Sequence, residues 1–217
     1  THRVEPVIAK PSVVFHLEED AAWRSLVADA VQRSEFFSLG DLSSAKIVVL
    51  DLWYNGECGF EVAARLKEKL SHVRILALTS RADEVAMHRS QIGPLDGLVW
   101  KIPAAARQLS EALVALDNGR TYFPKEVTDE RRRLEALPDA YFKLLSTSQI
   151  ELLPYFARFM SDGEVATKVG GSERTVRWHR ENIQRAIGAA NASELIQWAL
   201  GSGFAPRNLA APPCLVG

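Results

Sequence analysis

The feature that most constrains this chain is a change of rhythm along it. Up to about residue 120, short apolar runs alternate with stretches of helical spacing; after Leu144 only helical spacing remains. The apolar runs are Ser12–Leu17 (SVVFHL), Phe36–Leu39, Lys46–Leu52 (KIVVLDL), Val73–Thr79 (VRILALT) and Gly97–Trp100. Helical patterns lie between and after them, at Ala21–Arg33, Phe60–Leu70, Asp83–Gln91 and Ala104–Leu116. Strands this short and apolar, alternating with helices, imply βαβ units and a parallel sheet buried on both faces. One step breaks the pattern. Only Gly40–Ala45 separates the second run from the third, too few residues for a crossover helix. The second helix is therefore predicted to be missing or reduced to a turn.

Open parallel sheets gather their chemistry at the carboxyl ends of the strands. At those ends the sequence places Glu18, Glu19 and Asp20, then Asp51, then Thr79, then Lys101. Acids, a hydroxyl and an amine at four strand ends point to a site rather than to sheet structure alone.

The second part of the chain reads as four short helices: Ser148–Phe159, Asp162–Val169, Glu173–Ile187 and Ala192–Leu200. On the third of these, Val176, Ile183 and Ile187 fall on one face and should pack inward. Arg174, Arg177, Trp178, Glu181 and Arg185 share the other face, and Ser172 is placed to cap the helix start. Such a face suits base edges and phosphates; a solvated charged helix would carry the same charge pattern. Between the two parts, Thr121–Lys143 holds Pro124, Pro138 and the charged run Asp129–Arg133, which reads as a linker with some helix. The expected organisation is an α/β domain over 1–120, a linker over 121–143, an all-α domain over 144–204 and a tail over 205–217.

Charge narrows the function classes. The chain has 217 residues and a net charge of −1, but from Tyr141 onward eight Lys/Arg stand against six Asp/Glu. That excess is small, so nucleic-acid binding must rest on where the charges sit. Cys58 and Cys214 are far apart and form no metal-ligand spacing. No apolar run approaches the roughly 18 residues that span a bilayer, and the first residues lack a signal-peptide core. A soluble, cytoplasmic protein with no membrane partner is expected. No nucleophile–base pairing or phosphate-cradling glycine loop stands in motif context, so an enzyme is not expected.

The stretch from Leu145 to Leu200 resembles the LuxR/NarL-type helix-turn-helix domain. Leu145-Ser146, Glu151, Leu153, Ala157, Glu164-Val165-Ala166, Val169, Ser172, Thr175-Val176-Arg177, His179, Ile183 and Ile187 carry the likeness. It implies double-stranded DNA as partner and a homodimer as the working state. Arg177, Trp178 and Glu181 would face bases, with Arg174, Thr175, His179 and Arg185 completing the DNA-binding set. Leu195, Ile196 and Ala199 could dimerise or could be core. Trp178 and Glu181 depart from the family's habit of smaller and positive residues there, and Phe159 stands where glycine is common.

Residues 12–120 resemble a response-regulator receiver of flavodoxin-like fold. The segment IVVLDLWYNGECGFEV matches the surroundings of a phosphoacceptor aspartate, here Asp51. The likeness makes Glu18, Glu19, Thr79 and Lys101 the pocket around it. It implies Mg²⁺ held by Glu18, Glu19 and Asp51, oxygen ligands that suit a hard ion. A histidine kinase or another regulatory protein would then be a partner. The departures are several. Glutamates replace the usual aspartates, Leu98 replaces a switch aromatic, Asn55 replaces a proline, Pro103 comes one residue late, and Trp53 is placed to cover the acceptor. Three functions follow: a DNA-binding transcription regulator with a degenerate, phosphorylation-independent receiver; a conventional regulator phosphorylated on Asp51; or an adaptor that no longer grips DNA. In the degenerate case Asp51 and Lys101 would form an ion pair. Trp100 with the helices at 83–91 and 104–116 would form a dimer face.

Overall fold

A computed structural model describes residues 11–205; the expected tail beyond Ala205 lies outside them. The elements run β1 (Ser12–Leu17), α1 (Ala21–Gln32), β2 (Phe37–Leu39), β3 (Ile47–Leu50), β4 (Trp53–Tyr54), β5 (Glu57–Cys58), α2 (Gly59–Lys69), β6 (Arg74–Thr79), α3 (Glu84–Ile92), β7 (Gly97–Trp100) and α4 (Ala105–Asp117). Helices follow: α5 (Lys125–Ala136), α6 (Tyr141–Leu144), α7 (Thr147–Phe156), α8 (Asp162–Val169), α9 (Glu173–Ile187) and α10 (Ala192–Ser202). The chain divides into two compact units. One comprises the residues up to Arg81 with Ser90–Thr128; the other comprises Ala82–Arg89 with the residues from Asp129 onward.

The first unit is built on a five-stranded sheet of order β2-β1-β3-β6-β7, parallel at every pairing. Both faces are buried, as the unbroken apolar runs require. Ile47, Val49, Leu76, Leu78 and Val99 join the cluster formed with α1 and α4. The alternate residues Val48, Leu50, Ile75, Ala77 and Leu98 are buried on the opposite face. Between β2 and β3 the chain makes only a 3-10 turn at Leu42–Ser44, so the short connection does eliminate the crossover helix. The third apolar run is shorter than expected. It stops at Leu50, and the chain turns into a small antiparallel hairpin, β4-β5. Asn55 (φ 50°) and Gly56 (φ 73°) make that turn; two positive φ values in succession are what a tight right-twisted hairpin demands.

The second unit packs around Tyr141, Leu152, Leu153, Phe156, Val165, Val176, Ile183, Leu195 and Ala199. Leu195 and Ala199, candidates for either a dimer face or the core, are core, at 1% and 0% exposed. Val85 of α3 belongs to the same cluster. Glu84 accepts the Tyr141 N–H at 2.8 Å, His88 Nδ1 meets the Tyr141 hydroxyl at 2.7 Å, and the His88 ring stacks on Phe142 at 4.0 Å. Burial lowers the His88 imidazole below its ordinary value and raises the Glu84 carboxyl above its own. This apolar side of α3 is thus already covered within that unit.

Candidate functional site

Four strand ends meet at the carboxyl edge of the sheet. Glu18 leaves β1, Asp51 leaves β3, Thr79 ends β6, and Lys101 leaves β7. Lys101 Nζ lies 2.7 Å from Asp51 Oδ2 and 2.7 Å from Glu18 Oε2. Thr79 Oγ1 donates to Asp51 Oδ1 at 3.0 Å, and the Trp53 N–H reaches the same oxygen at 3.3 Å. The ammonium is enclosed, its side chain 7% exposed against 4% for Glu18 and 17% for Asp51. Burial alone would push Lys101 toward neutrality. The hydrogen bonds and charges of Asp51 and Glu18 outweigh it and hold the ammonium above its ordinary value.

The loop around Asp51 is tightly held. Gly59 N donates to Leu52 O at 2.8 Å, and a Cβ on Gly59 would come within 2.4 Å of Asp51 O. Only glycine lets α2 start this close to the acceptor loop. Trp53 lies under the Arg81 guanidinium, 5.0 Å from ring centre to Cζ, and Trp100 Nε1 donates to Arg81 O at 2.9 Å. Nothing in the sequence marks Arg81 as a site residue; it lies two residues past Thr79, outside any motif.

Glu18, Glu19 and Asp51 do not gather as a metal set. Glu18 faces Lys101, whereas Glu19 Oε1 is taken by the Asn55 N–H at 2.6 Å. Asp20 caps α1 through the Ala22 and Trp23 amides. Among the described residues no cluster of three or more such ligands is present. The lysine ammonium occupies the position between two carboxylates where a cation would be needed, so the residues do not fit Mg²⁺.

The second site is α9. It starts where α8 ends in a three-residue turn: Gly170 adopts left-handed φ (69°), Gly171 follows, and Ser172 caps α9 by accepting the Thr175 N–H at 3.1 Å. Val176 and Ile183 are buried, Ile187 half-buried. Arg174, Thr175, Arg177, Trp178, Glu181 and Arg185 are exposed, and His179 is half-buried against Trp178. Trp178 is 59% exposed. The charged residues differ in their commitments. Arg177 pairs with Glu173 one turn back and lies 3.5 Å from Asp162 of α8. Arg185 bonds Asn182 at 2.6 Å. Arg174 and Glu181 form no ion pair among the described residues. Arg180, absent from the expected set, sits toward the inward face and holds Asp162 at 2.9 Å, bracing α8 to α9. The signal for it is an arginine in register with Val176 and Ile183. Phe159, where the resemblance favours glycine, has a positive φ of 62°.

No helix among the described residues is long and apolar enough to cross a membrane. Residues 143–199 match the family described as "Bacterial regulatory proteins, luxR family". The chain is 27% identical over 154 residues to the Fimbriae Z protein of Salmonella typhimurium, covering 70% of this chain and 73% of that protein. It is 24% identical over 198 residues to the oxygen regulatory protein NreC of Staphylococcus haemolyticus, covering 87% and 89%. In fold it is similar to RcsB from Salmonella enterica serovar Typhimurium bound to promoter rprA, with a TM-score of 0.62 and 18% identity over 88% of this chain and 98% of that one. Residues 143–199 thus match the luxR-family regulatory model, and the chain as a whole shares the two-domain fold of RcsB.

Proposed function

We propose that this protein is a DNA-binding transcription regulator whose receiver-like pocket works without phosphorylation. The observation that carries the DNA reading is the outer face of α9. It presents Arg174, Arg185 and Trp178 to solvent on the second helix of a helix-turn-helix, the element that lies in the major groove in such domains. RcsB, similar in fold, is known as a response regulator–DNA complex and as two dimers bound to two parallel DNAs. By that likeness the present chain works as a homodimer on double-stranded DNA, in the cytoplasm and without an enzymatic turnover of its own.

The phosphorylation-independent part rests on the Glu18–Lys101–Asp51 arrangement. Both Asp51 oxygens already accept hydrogen bonds, and the site's own ammonium neutralises charge that a metal would otherwise offset. One observation favours a second reading, phosphorylation of Asp51 by a histidine kinase: Thr79 and Lys101 both reach the Asp51 carboxylate, at 3.0 and 2.7 Å.

The test of the DNA reading is binding of the full chain to mixed-sequence duplex over a salt series. A regulator binds at low salt and weakens along a linear log–log slope of about −0.9 per phosphate contact. No binding at low salt would leave the protein–protein adaptor as the remaining function.

A further inference from the structure

The outer face of α9 also says which bases it suits, an inference that rests on the DNA-binding reading above. The N-terminal residues of a second helix contact base edges in the major groove. On α9 Arg174, Arg177 and Trp178 are exposed in the first two turns, and Glu181 follows on the same face at the middle of the helix. Arginine ordinarily reads guanine through O6 and N7. Arg177, however, is committed to Glu173 and Asp162, and Asp162 in turn holds Arg180. To reach guanine it would have to leave the Glu173 carboxylate one turn back and the more distant Asp162, which Arg180 would still hold at 2.9 Å. Arg174, in the first turn, has no ion pair among the described residues and is left to phosphate or base; beside Arg177 the uncommitted groups are a largely exposed indole and the Glu181 carboxylate.

A free carboxylate in a groove walled by phosphates is repelled unless it meets a donor. The major groove offers two amino donors, cytosine N4 and adenine N6; cytosine N4 is the one from which Glu and Asp ordinarily accept, and the thymine 5-methyl is the apolar partner. Trp178 and Glu181 are three residues apart, about 4.5 Å along the helix, close to the roughly 3.4 Å rise of one base pair. We infer that Trp178 and Glu181 set the base preference of this helix, Trp178 packing on a thymine methyl and Glu181 accepting from cytosine N4 at a neighbouring pair, in place of guanine reading by Arg177.

The experiment is selection of bound sites from a randomised duplex pool by the full chain, its Glu181→Gln variant and its Trp178→Ala variant. The selected site is then remade with uracil for thymine, which removes only the methyl group. The wild type is expected to enrich a cytosine that Glu181→Gln no longer enriches. Glu181→Gln should also bind mixed-sequence DNA severalfold more tightly, because a repelled charge is gone. Uracil replacement should weaken the wild type by at least about fivefold at one position and leave Trp178→Ala unchanged. Identical sites for all three proteins, or a G·C pair whose enrichment is lost in an Arg177→Ala variant carried through the same selection but kept in Glu181→Gln, would overturn the inference. Salt-dependent binding without any selected site would overturn it too, while leaving the DNA-binding reading intact. Absence of binding even at low salt would instead remove the DNA-binding reading itself.

Discussion

At the carboxyl edge of the sheet, Lys101 is enclosed by Glu18 and Asp51, and all three charges are partnered inside the protein. On the outer face of α9, Arg174 and Glu181 stand in solvent without an ion pair among the described residues, beside an exposed indole. The residue types are alike; the commitments are opposite. Charges neutralised within the fold act on its stability. Charges left unpaired on a rigid helix are available to a partner that brings its own phosphates and base edges. The difference yields a rule for this molecule: substitutions in the pocket should change unfolding and spare DNA, and substitutions on the outer face should do the reverse.

The largest expected effect tests the inward half of that rule. Lys101→Met leaves the buried Glu18 and the half-buried Asp51 carboxylates facing each other, and loss of one partner from a buried ion pair costs up to about 3–5 kcal/mol. Urea unfolding should show this as a lowered midpoint. Adding Glu18→Gln and Asp51→Asn to the same chain should recover much of it. A midpoint unchanged by Lys101→Met would mean that the pair is not held in solution.

The outward half is tested by Arg174→Ala with Arg185→Ala. If each side chain grips a phosphate, the salt slope of DNA binding shrinks by about 2, while stability stays within about 0.5 kcal/mol. A stability loss larger than the binding loss would reverse the comparison.

Ser172→Ala sharpens it, because Ser172 supports the exposed helix without belonging to its outer face. Removal of such a cap costs about 1 kcal/mol, readable in thermal or urea unfolding of the full chain. DNA affinity should fall by less than in the double arginine variant.

The smallest effect is a pH dependence. His88 has its imidazole value lowered in the fold by burial, with Glu135 opposing. The unfolded chain therefore takes up the proton first. The stability that depends on neutral His88 is fully present above about pH 6.5 and declines as pH falls below it. His88→Phe should flatten this decline between about pH 7.5 and 5.5. Glu84, raised by burial, acts in a lower window, around and above its ordinary 4.5, and with the opposite sign.

Much of this was legible in the residues, and the exceptions have physical reasons. Unbroken β-branched runs marked the central strands, since a strand buried on both faces needs no alternation. The short segment Gly40–Ala45 marked the missing helix by length alone. The β4-β5 hairpin was not legible as strands, although Tyr54-Asn55-Gly56-Glu57 carries a strong turn signal. Trp53–Tyr54 and Glu57–Cys58 are too short to show any periodicity. Convergence of Glu18, Asp51, Thr79 and Lys101 could be expected from their places at strand ends. The direction of Glu19 could not, because it depends on the Asn55 amide of a hairpin 36 residues away. The outward face of α9 was readable from helical spacing. The Asp162 brace on Arg177 and Arg180 was not, since it joins two helices across a turn. The packing of Val85 and His88 with Tyr141 was likewise invisible, because nothing in α3 itself marks which residues beyond 129 it meets.

The central claim is that DNA binding here does not wait on Asp51. The most direct measurement takes the full chain with Mg²⁺ and acetyl phosphate, with Asp51→Asn in parallel, and follows intact mass and DNA affinity in the same samples. The expected result is no added phosphoryl mass and the same affinity before and after treatment. A phosphoryl mass gained by the wild type alone, accompanied by tighter DNA binding, would contradict the account and make the Asp51 pocket a working switch.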